Sequence, residues 1–398
     1  MKSTKSYSLL FSELLIYLLF LSIPLSRPLS RITVKLLAVS FLLLLLFRVL
    51  KPRLERVDLV ALLMPTYQLF ASLIRGEFFS FVRSPNGLTP NLAYLVRFFP
   101  VKVERALQLF LLGALLLGLS IILQSILGAP NYKALLEGKF HFLKVVRPWK
   151  TFVGHPLTAG ALISIGFFLS IALYFREKKF YYLFSSFVLL AGLVFTFDRS
   201  YWVAVSLILL VSLLFLKRWK LFLVIFLALS VSLWSVPQLK KRFLSIFELK
   251  NSSNRYRVAM WKGALNYYAG APLDRKLFGT GREGYRKELK EPVYRAEKEL
   301  RLRKRLYSHL HSDYVTVLIW YGLVGLVVFL FTFFYFLFVN LKAFWETGDF
   351  LYYFFAAAYG VILVGGLFEY NFEDEAVKFA IYALFGLNAR LLSEKGAP

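Results

Sequence analysis

Long apolar runs separated by short clusters of charge dominate this chain. A bilayer crossing takes about 20 predominantly apolar residues, and runs of that kind occupy residues 7–25, 32–50, 59–74, 106–127, 157–175, 180–197, 201–216, 221–236, 314–341, 350–368 and 376–392. Each predicts a membrane helix. Residues 237–313 break the pattern with a long polar and basic stretch. Inside it, residues 255–268 and 291–305 predict two helices on either side of a Gly- and Pro-rich turn region at 269–284. No repeat of solenoid length recurs, and no inverted repeat of the kind that marks secondary transporters is visible.

Short loops rich in Lys and Arg favour the cytoplasm. That rule places Lys51, Arg53 and Arg56, then Arg176, Lys178 and Lys179, then Lys217, Arg218 and Lys220, with Lys342 and Lys395, on the inner side. Eleven spans cannot satisfy both Lys51 and Lys178, because the parity between them fails. A short, broken crossing at 88–99, carrying Pro90 and Arg97, repairs it and brings the total to about twelve. The outer face then receives the 147–155 loop, Asp198 and Arg199, the whole of 237–313, and Glu373 and Asp374. The basic character of 237–313 is no obstacle, since long loops translocate largely regardless of charge. Lys2, Lys5 and the run from Leu9 imitate a signal peptide, but Ser26-Arg27 is a poor cleavage site and another apolar run follows at once, so this is read as the first span.

Composition agrees with lipid as the solvent. Apolar residues make up 58% of the 398 positions, and the mean hydropathy is +0.61, more than one soluble core absorbs. The net charge of +26 must therefore sit at the water interfaces, where anionic head groups or phosphorylated substrates are its natural partners. Basic residues scattered over many short loops form no continuous groove, which argues against nucleic acid. With no cysteine, disulfides play no part.

The chemistry-bearing residues gather on the outer side. The four histidines, His141, His155, His309 and His311, all fall there. Imidazole suits proton transfer near neutral pH, and the positive end of the helix expected from Tyr314 favours an uncharged ring. Interfacial anchoring of a helix end is the plain alternative for His309 and His311, and Asp313 is a candidate to orient an imidazole. The spacing H-x-H-S-D has no clear further ligand, so no metal site is expected. Arg199 stands at the junction of two apolar spans, where a charge is costly unless used, with Asp198 as the candidate neutraliser. Arg255 and Arg257 open the first loop helix, and Arg257 and Trp261 share a face. Guanidinium forks suit phosphate oxygens, and several can hold a diphosphate without a metal. The glycines of Phe278-Gly-Thr-Gly-Arg-Glu-Gly lack the preceding strand of a dinucleotide fingerprint; they are read as a tight turn that folds the loop back over the membrane.

Taken as an ordered set, these segments resemble the O-antigen ligase and polymerase superfamily. His309-Leu-His-Ser-Asp-Tyr with Gly322 and Gly325 downstream is similar to its H-x-H-[NS]-x-[YF] and G-L-x-G signature. Gly154-His-Pro, Asp198-Arg199-Ser, and Arg257-x-x-x-Trp261 followed by Phe278-Gly-Thr-Gly fall in the family's order. The resemblance covers about residues 140–390. One departure is Ser312, where relatives commonly carry Asn.

The resemblance implies an all-α, polytopic, GT-C-like transmembrane bundle with one long helical periplasmic loop. Its parts would be N-terminal membrane helices at 1–130, central membrane helices with an outer Arg/His loop at 131–236, the periplasmic loop at 237–313 and C-terminal membrane helices at 314–398. It implies an inner-membrane glycosyltransferase that moves a glycan from undecaprenyl diphosphate to an acceptor hydroxyl with no cofactor or metal, His311 serving as base and Arg199 and Arg257 holding the diphosphate. Arg147, His155, Arg255, Trp261, His309 and Tyr314 would contact substrate. The acceptor would be lipid A-core for an O-antigen ligase, to which Lys287, Arg295, Lys298, Arg301 and Arg303 offer charge, or a second glycan or a protein for the polymerase and protein-ligase alternatives. A lipid-linked glycan flippase is the reading from another class. A lateral groove for the lipid tail is expected.

Overall fold

The computed structural model describes residues 2–139, 145–216, 219–248, 251–305 and 309–394; His141, Lys217, Arg218 and Lys395 lie outside them. Among the described residues the chain is helical, with no β-strand beyond two isolated bridges. Seven helices are long and apolar enough to cross a membrane: Arg27–Leu46, Arg56–Ile74, Val103–Ile126, Pro156–Glu177, Arg199–Leu216, Asp313–Thr347 and Glu375–Glu394. Tyr7–Ser22, Phe180–Phe195 and Phe350–Gly366 are shorter apolar helices, and Trp219–Ser235 covers the run expected at 221–236. Pro156–Glu177 and Glu375–Glu394 are almost wholly enclosed, whereas Arg27–Leu46 and Asp313–Thr347 leave most of their surface outside. Leu42 and Leu46 on the first and Phe331, Phe334 and Phe338 on the second are exposed, apolar surface that lipid accepts more readily than water.

The broken element takes the form of one helical turn, Leu88–Asn91, continued by a 3₁₀ helix, Leu92–Phe98. Its two ends meet opposite ends of the Glu375–Glu394 helix. Asn86 donates to the Glu373 carbonyl at 2.7 Å, while Arg97 reaches Ser393 at 2.6 Å and pairs with Asp58 at 3.0 Å. Stretching to a 3₁₀ rise lets a short segment run the length of a longer helix. Arg97 also pairs with Glu55, beside Arg56, and Arg176 pairs with Asp349.

The polar stretch differs in detail from expectation. The first loop helix is Ser252–Gly270, as read. The second is Lys290–Glu299 and stops well short of residue 305. Arg301 takes a left-handed φ of 51°, and Leu302 N–H returns to the Glu297 carbonyl at 2.8 Å, a reversal that closes the helix. The turn region is itself partly helical, with Leu273–Phe278 and Gly281–Glu288, and a further short helix, Pro237–Leu244, precedes it.

The turn docks on a break in a membrane helix. Within Asp313–Thr347, Gly322 has φ 71° and ψ −174°, a conformation open in practice to glycine alone. A Cβ there would stand 2.2 Å from the Leu277 carbonyl oxygen, and one at Gly279 would stand 2.4 Å from the Trp320 carbonyl. The carbonyls released by the break are taken up from outside the helix: Thr280 N–H donates to Ile319 O at 2.9 Å, and Tyr67 Oη donates to Tyr321 O at 2.5 Å. Arg75 holds the turn from the other side through the Phe278 carbonyl at 2.8 Å.

Gly322→Ala combines a forced φ with a backbone clash and is expected to cost about 2–4 kcal/mol. Gly348→Ala, with φ 69° but nothing within 4 Å of the new Cβ, should cost only about 1 kcal/mol. Thermal melting of the two variants in the same detergent reads the difference; equal shifts would mean the loop does not depend on the break.

Candidate functional site

The site begins with a carboxylate that the sequence did not single out. Glu369 lies between the Phe350–Gly366 and Glu375–Glu394 helices and is 3% exposed. Burying an ionised carboxylate is prohibitive unless it is fully partnered, and three segments supply partners. Ser200 Oγ donates to Glu369 Oε1 at 3.0 Å, Arg257 Nη2 donates to the same oxygen, and His311 Nδ1 lies 3.4 Å from Oε2. Burial pushes the Glu369 pKa up, but the contacts with His311, Arg257 and Ser200 outweigh it and hold the group below the usual carboxylate range.

Asp313 does not orient the imidazole. Its Oδ1 accepts from the backbone N–H groups of Asn371 and Phe372 at 2.8 and 2.9 Å, fixing the turn that carries Glu369, while its Cα starts the helix that follows His311. His311 itself has a left-handed φ of 49°, a costly conformation for a side chain with a Cβ. Its ring meets His309 edge to face at 4.4 Å, and His309 stacks on Tyr370 at 4.4 Å. Burial, helped by His311, pushes His309 down to about 3, so it stays neutral. Trp261 Nε1 donates to the Leu310 carbonyl between the two histidines at 2.8 Å.

The cations surround this carboxylate. Arg199, 6% exposed, is not neutralised by Asp198 through an ion pair. It donates to the Ser245 carbonyl at 2.6 Å and to Asn254 Oδ1 at 2.9 Å. Asp198 instead caps the helix through Ser200 N–H at 3.1 Å, and burial, reinforced by Glu369, raises its pKa. Arg242, which sequence reasoning passed over as loop surface, donates to the Phe197 carbonyl at 3.1 Å; burial and the nearby Arg199 lower its pKa to about 10. Arg147 has no hydrogen bond or ion pair among the described residues. The residue is exposed, yet protein encloses it enough that lost hydration lowers its pKa, with Asp198 and Glu369 acting in the opposite sense. Arg147, Arg199, Arg242 and Arg257 thus lie within electrostatic reach of one another around two carboxyl groups, one of them driven toward its neutral form. The basin carries excess positive charge, the condition for holding a polyanion.

His155 caps Pro156–Glu177, its Nδ1 accepting from Leu157 N–H at 3.2 Å, so the neutral ring carries its proton on Nε2. Burial and then Arg147 lower its pKa, with Glu369, His311 and Arg27 in the same field. Two other predicted residues point elsewhere. Arg255 donates to the Leu300 carbonyl at the end of the second loop helix, and Tyr314 donates to the Leu363 carbonyl at 2.8 Å. Both hold scaffold.

Below the basin runs an apolar groove of about 650 Å³. Trp202 and Val203, just past Arg199, form one wall, Phe243 and Ile246, flanking the Arg242 and Ser245 contacts, form the rim, and Leu193 and Ile225 close it.

Residues 184–330 match the family model for O-antigen ligase (Wzy_C). That stretch contains Arg199, Arg242, Arg257, Trp261, His309 and His311; Arg147, His155 and Glu369 fall outside it. No curated protein matches the chain.

Because Arg257 and Glu369 satisfy one another, removing either alone strands a buried charge. Arg257→Ala is expected to destabilise the protein by about 2–4 kcal/mol, and the Arg257→Ala/Glu369→Gln double variant should recover at least about 0.5 kcal/mol relative to the sum of the singles. Melting or denaturant titration of the four proteins measures the coupling; strict additivity would show that the contact carries no energy.

Proposed function

With an O-antigen ligase domain matched over residues 184–330, we propose that the chain is a metal-independent, inverting glycosyltransferase that moves O-antigen polysaccharide from undecaprenyl diphosphate to lipid A-core. It would sit in the inner membrane of a bacterium with about twelve crossings and its basin on the periplasmic face. The matched domain supports a glycosyltransferase-like membrane enzyme of O-antigen assembly. A single observation carries the transfer chemistry: Arg257 and His311 share the buried Glu369, ringed by Arg147, Arg199 and Arg242, beside an apolar groove.

The groove takes the polyprenyl tail and the guanidinium groups take the diphosphate. Arg199 and Arg242 are the forks nearest the rim. Glu369 accepts from His311 Nδ1 and leaves Nε2 free to receive a proton. As the acceptor hydroxyl attacks the anomeric carbon, its proton passes to Nε2, the new C–O bond forms, and the bond to the diphosphate breaks with its electron pair going to the departing oxygen. Charge grows on the diphosphate, where preorganised cations are worth most. A single displacement inverts the anomeric centre. Glu369 and Trp261 act through His311 as positioning residues, and His155 with Arg147 forms the open edge of the basin. A polymerase or protein ligase would share all of this and differ in acceptor.

Purified protein in lipid, given a labelled polyprenyl-diphosphate glycan and lipid A-core, should transfer the glycan in the presence of EDTA. His311→Ala, Arg199→Ala and Arg257→Ala should each lose about 10²–10³ in kcat. Transfer only to a second glycan would move the assignment to polymerase. Unchanged transfer in His311→Ala, or EDTA inhibition reversed by a divalent ion, would overturn the mechanism. Ser206→Trp, placed in the groove, should raise KM for a long-chain donor by about tenfold and leave a short-chain donor unaffected; equal effects would remove the groove from the reading.

A further inference from the structure

On the flank of the histidines away from the groove, a second cavity of about 220 Å³ opens between the Arg75 end of the Arg56–Ile74 helix, the Phe78–Arg83 helix and the Gly281–Glu288 helix. A row of rings separates it from the basin. Trp320 lines the cavity and meets Tyr370 at 5.8 Å, Tyr370 stacks on His309, and His309 meets His311.

The charge balance of this cavity is unlike that of the basin. Most of its positive charge is offset by carboxylates. Arg75 pairs with Glu77 at 3.2 Å, Arg282 and Arg286 share the wall with Glu283, and Glu373 is already paired with the buried Lys378 at 3.2 Å. One guanidinium, Arg286, is left over, against the four arginines around two carboxyl groups in the basin, so the wall is far poorer in cations than a diphosphate site. What the wall offers is donors beside acceptors: Ser80 donates to Glu283 at 2.8 Å, Arg282 donates to Ser84 Oγ at 3.1 Å, and Asn86 lies between them and Glu373. Arg286 has no hydrogen bond or ion pair among the described residues. Trp320 is 2% exposed, and its indole N–H has no acceptor within the protein, although a buried indole normally finds one. A ligand that accepts from the indole and from Arg286, and also donates to carboxylates, must carry groups that do both. Sugar hydroxyls do, and an aromatic wall suits the apolar face of a pyranose.

We propose that this cavity is a saccharide subsite that takes one sugar ring of the acceptor glycan. The identity of the glycan as acceptor rests on the function proposed above. The donor's diphosphate and tail are assigned to the Arg199, Arg242 and Phe243 flank, so His311 stands between that flank and this cavity, and a chain anchored here presents a hydroxyl to the ring from the free side. Because the contacts are remote from the reacting atoms and are the same in ground and transition states, they act on acceptor affinity alone.

Two variants test this without touching the basin: Ser84→Tyr fills the cavity, and Arg286→Ala removes an unpaired donor. In lipid nanodiscs, both should raise the acceptor KM by about tenfold, roughly one or two hydrogen bonds' worth, with kcat and donor KM within about twofold. In parallel, saturation-transfer NMR of core oligosaccharide freed of lipid A, on His311→Ala protein that does not turn over, should give a signal that both variants abolish and inorganic phosphate does not displace. Normal acceptor KM and an undiminished signal in both variants, beside active wild-type protein, would sink the subsite and leave the enzyme reading intact. A variant-sensitive signal from wild-type protein that transfers nothing would keep the subsite and sink the enzyme. Displacement by phosphate would replace the sugar with an anion, and a raised donor KM would reassign the ring to the donor; either result overturns the proposal.

Discussion

The arrangement depends on one buried carboxylate being made tolerable. Glu369 has almost no access to water, and its hydration is replaced by a hydroxyl at the start of one membrane helix, a guanidinium from the polar loop and an imidazole at the start of another membrane helix. Each partner comes from a different part of the chain, so satisfying the ion and assembling the site are the same event. An apolar residue of similar size would remove the desolvation cost but would leave Arg257 and His311 with no common address. The ion is therefore retained for placement rather than for stability.

Placement of the loop follows a similar logic at the backbone. A helix broken at Gly322 frees carbonyl groups that lipid could not satisfy; the Gly279-Thr280-Gly281 turn and Tyr67 satisfy them. The break is stable only with the turn docked, and the turn has reason to dock only at the break. That lock holds the Gly281–Glu288 helix against Trp320, while Trp261 ties the other loop helix to Leu310. The histidines are thus held between two anchored stretches of one loop. Asp313 adds the last constraint by tying the Glu369 turn to the helix that begins two residues after His311.

The sequence announced the membrane helices because lipid imposes one crude requirement, continuous apolarity, which Ile32 to Leu50 or Leu157 to Phe175 meet with no tertiary help. Charge parity singled out residues 88–99 as a short, broken element, and a helical turn followed by a 3₁₀ helix occupies them. His311, Arg199 and Arg257 stood out because charge or imidazole beside an apolar run needs a reason. Glu369 did not: it sits near Glu373, Asp374 and Glu375 in a loop where any carboxylate could be solvated, and its partners lie 58, 112 and 169 residues away. Arg242 was hidden for the opposite reason, among Lys240 and Lys241 in a helix that reads as wet surface. The backbone partners of Arg255 and Tyr314, the Leu300 and Leu363 carbonyls, were not legible either, because a motif names a residue without naming the neighbour its side chain meets.

Backbone strain explains why the basin has the shape it does. Phe197 and His311 both hold left-handed φ values, 57° and 49°, and each conformation costs about 1–2 kcal/mol in a residue with a Cβ. At Phe197 the reversal ends one helix two residues before the next begins and turns its carbonyl to Arg242, aiming that guanidinium at the rim of the groove. At His311 it presents the ring to Glu369 before the helix starts. A relaxed backbone at either point would run on helically, carrying Arg199 or the imidazole around its axis and away from the shared carboxylate. Strain at two points is the cost of bringing the arginine cluster and the imidazole around one carboxylate, and it is tolerable because Arg242, Trp261 and Asp313 hold the flanking backbone where a looser loop would relax.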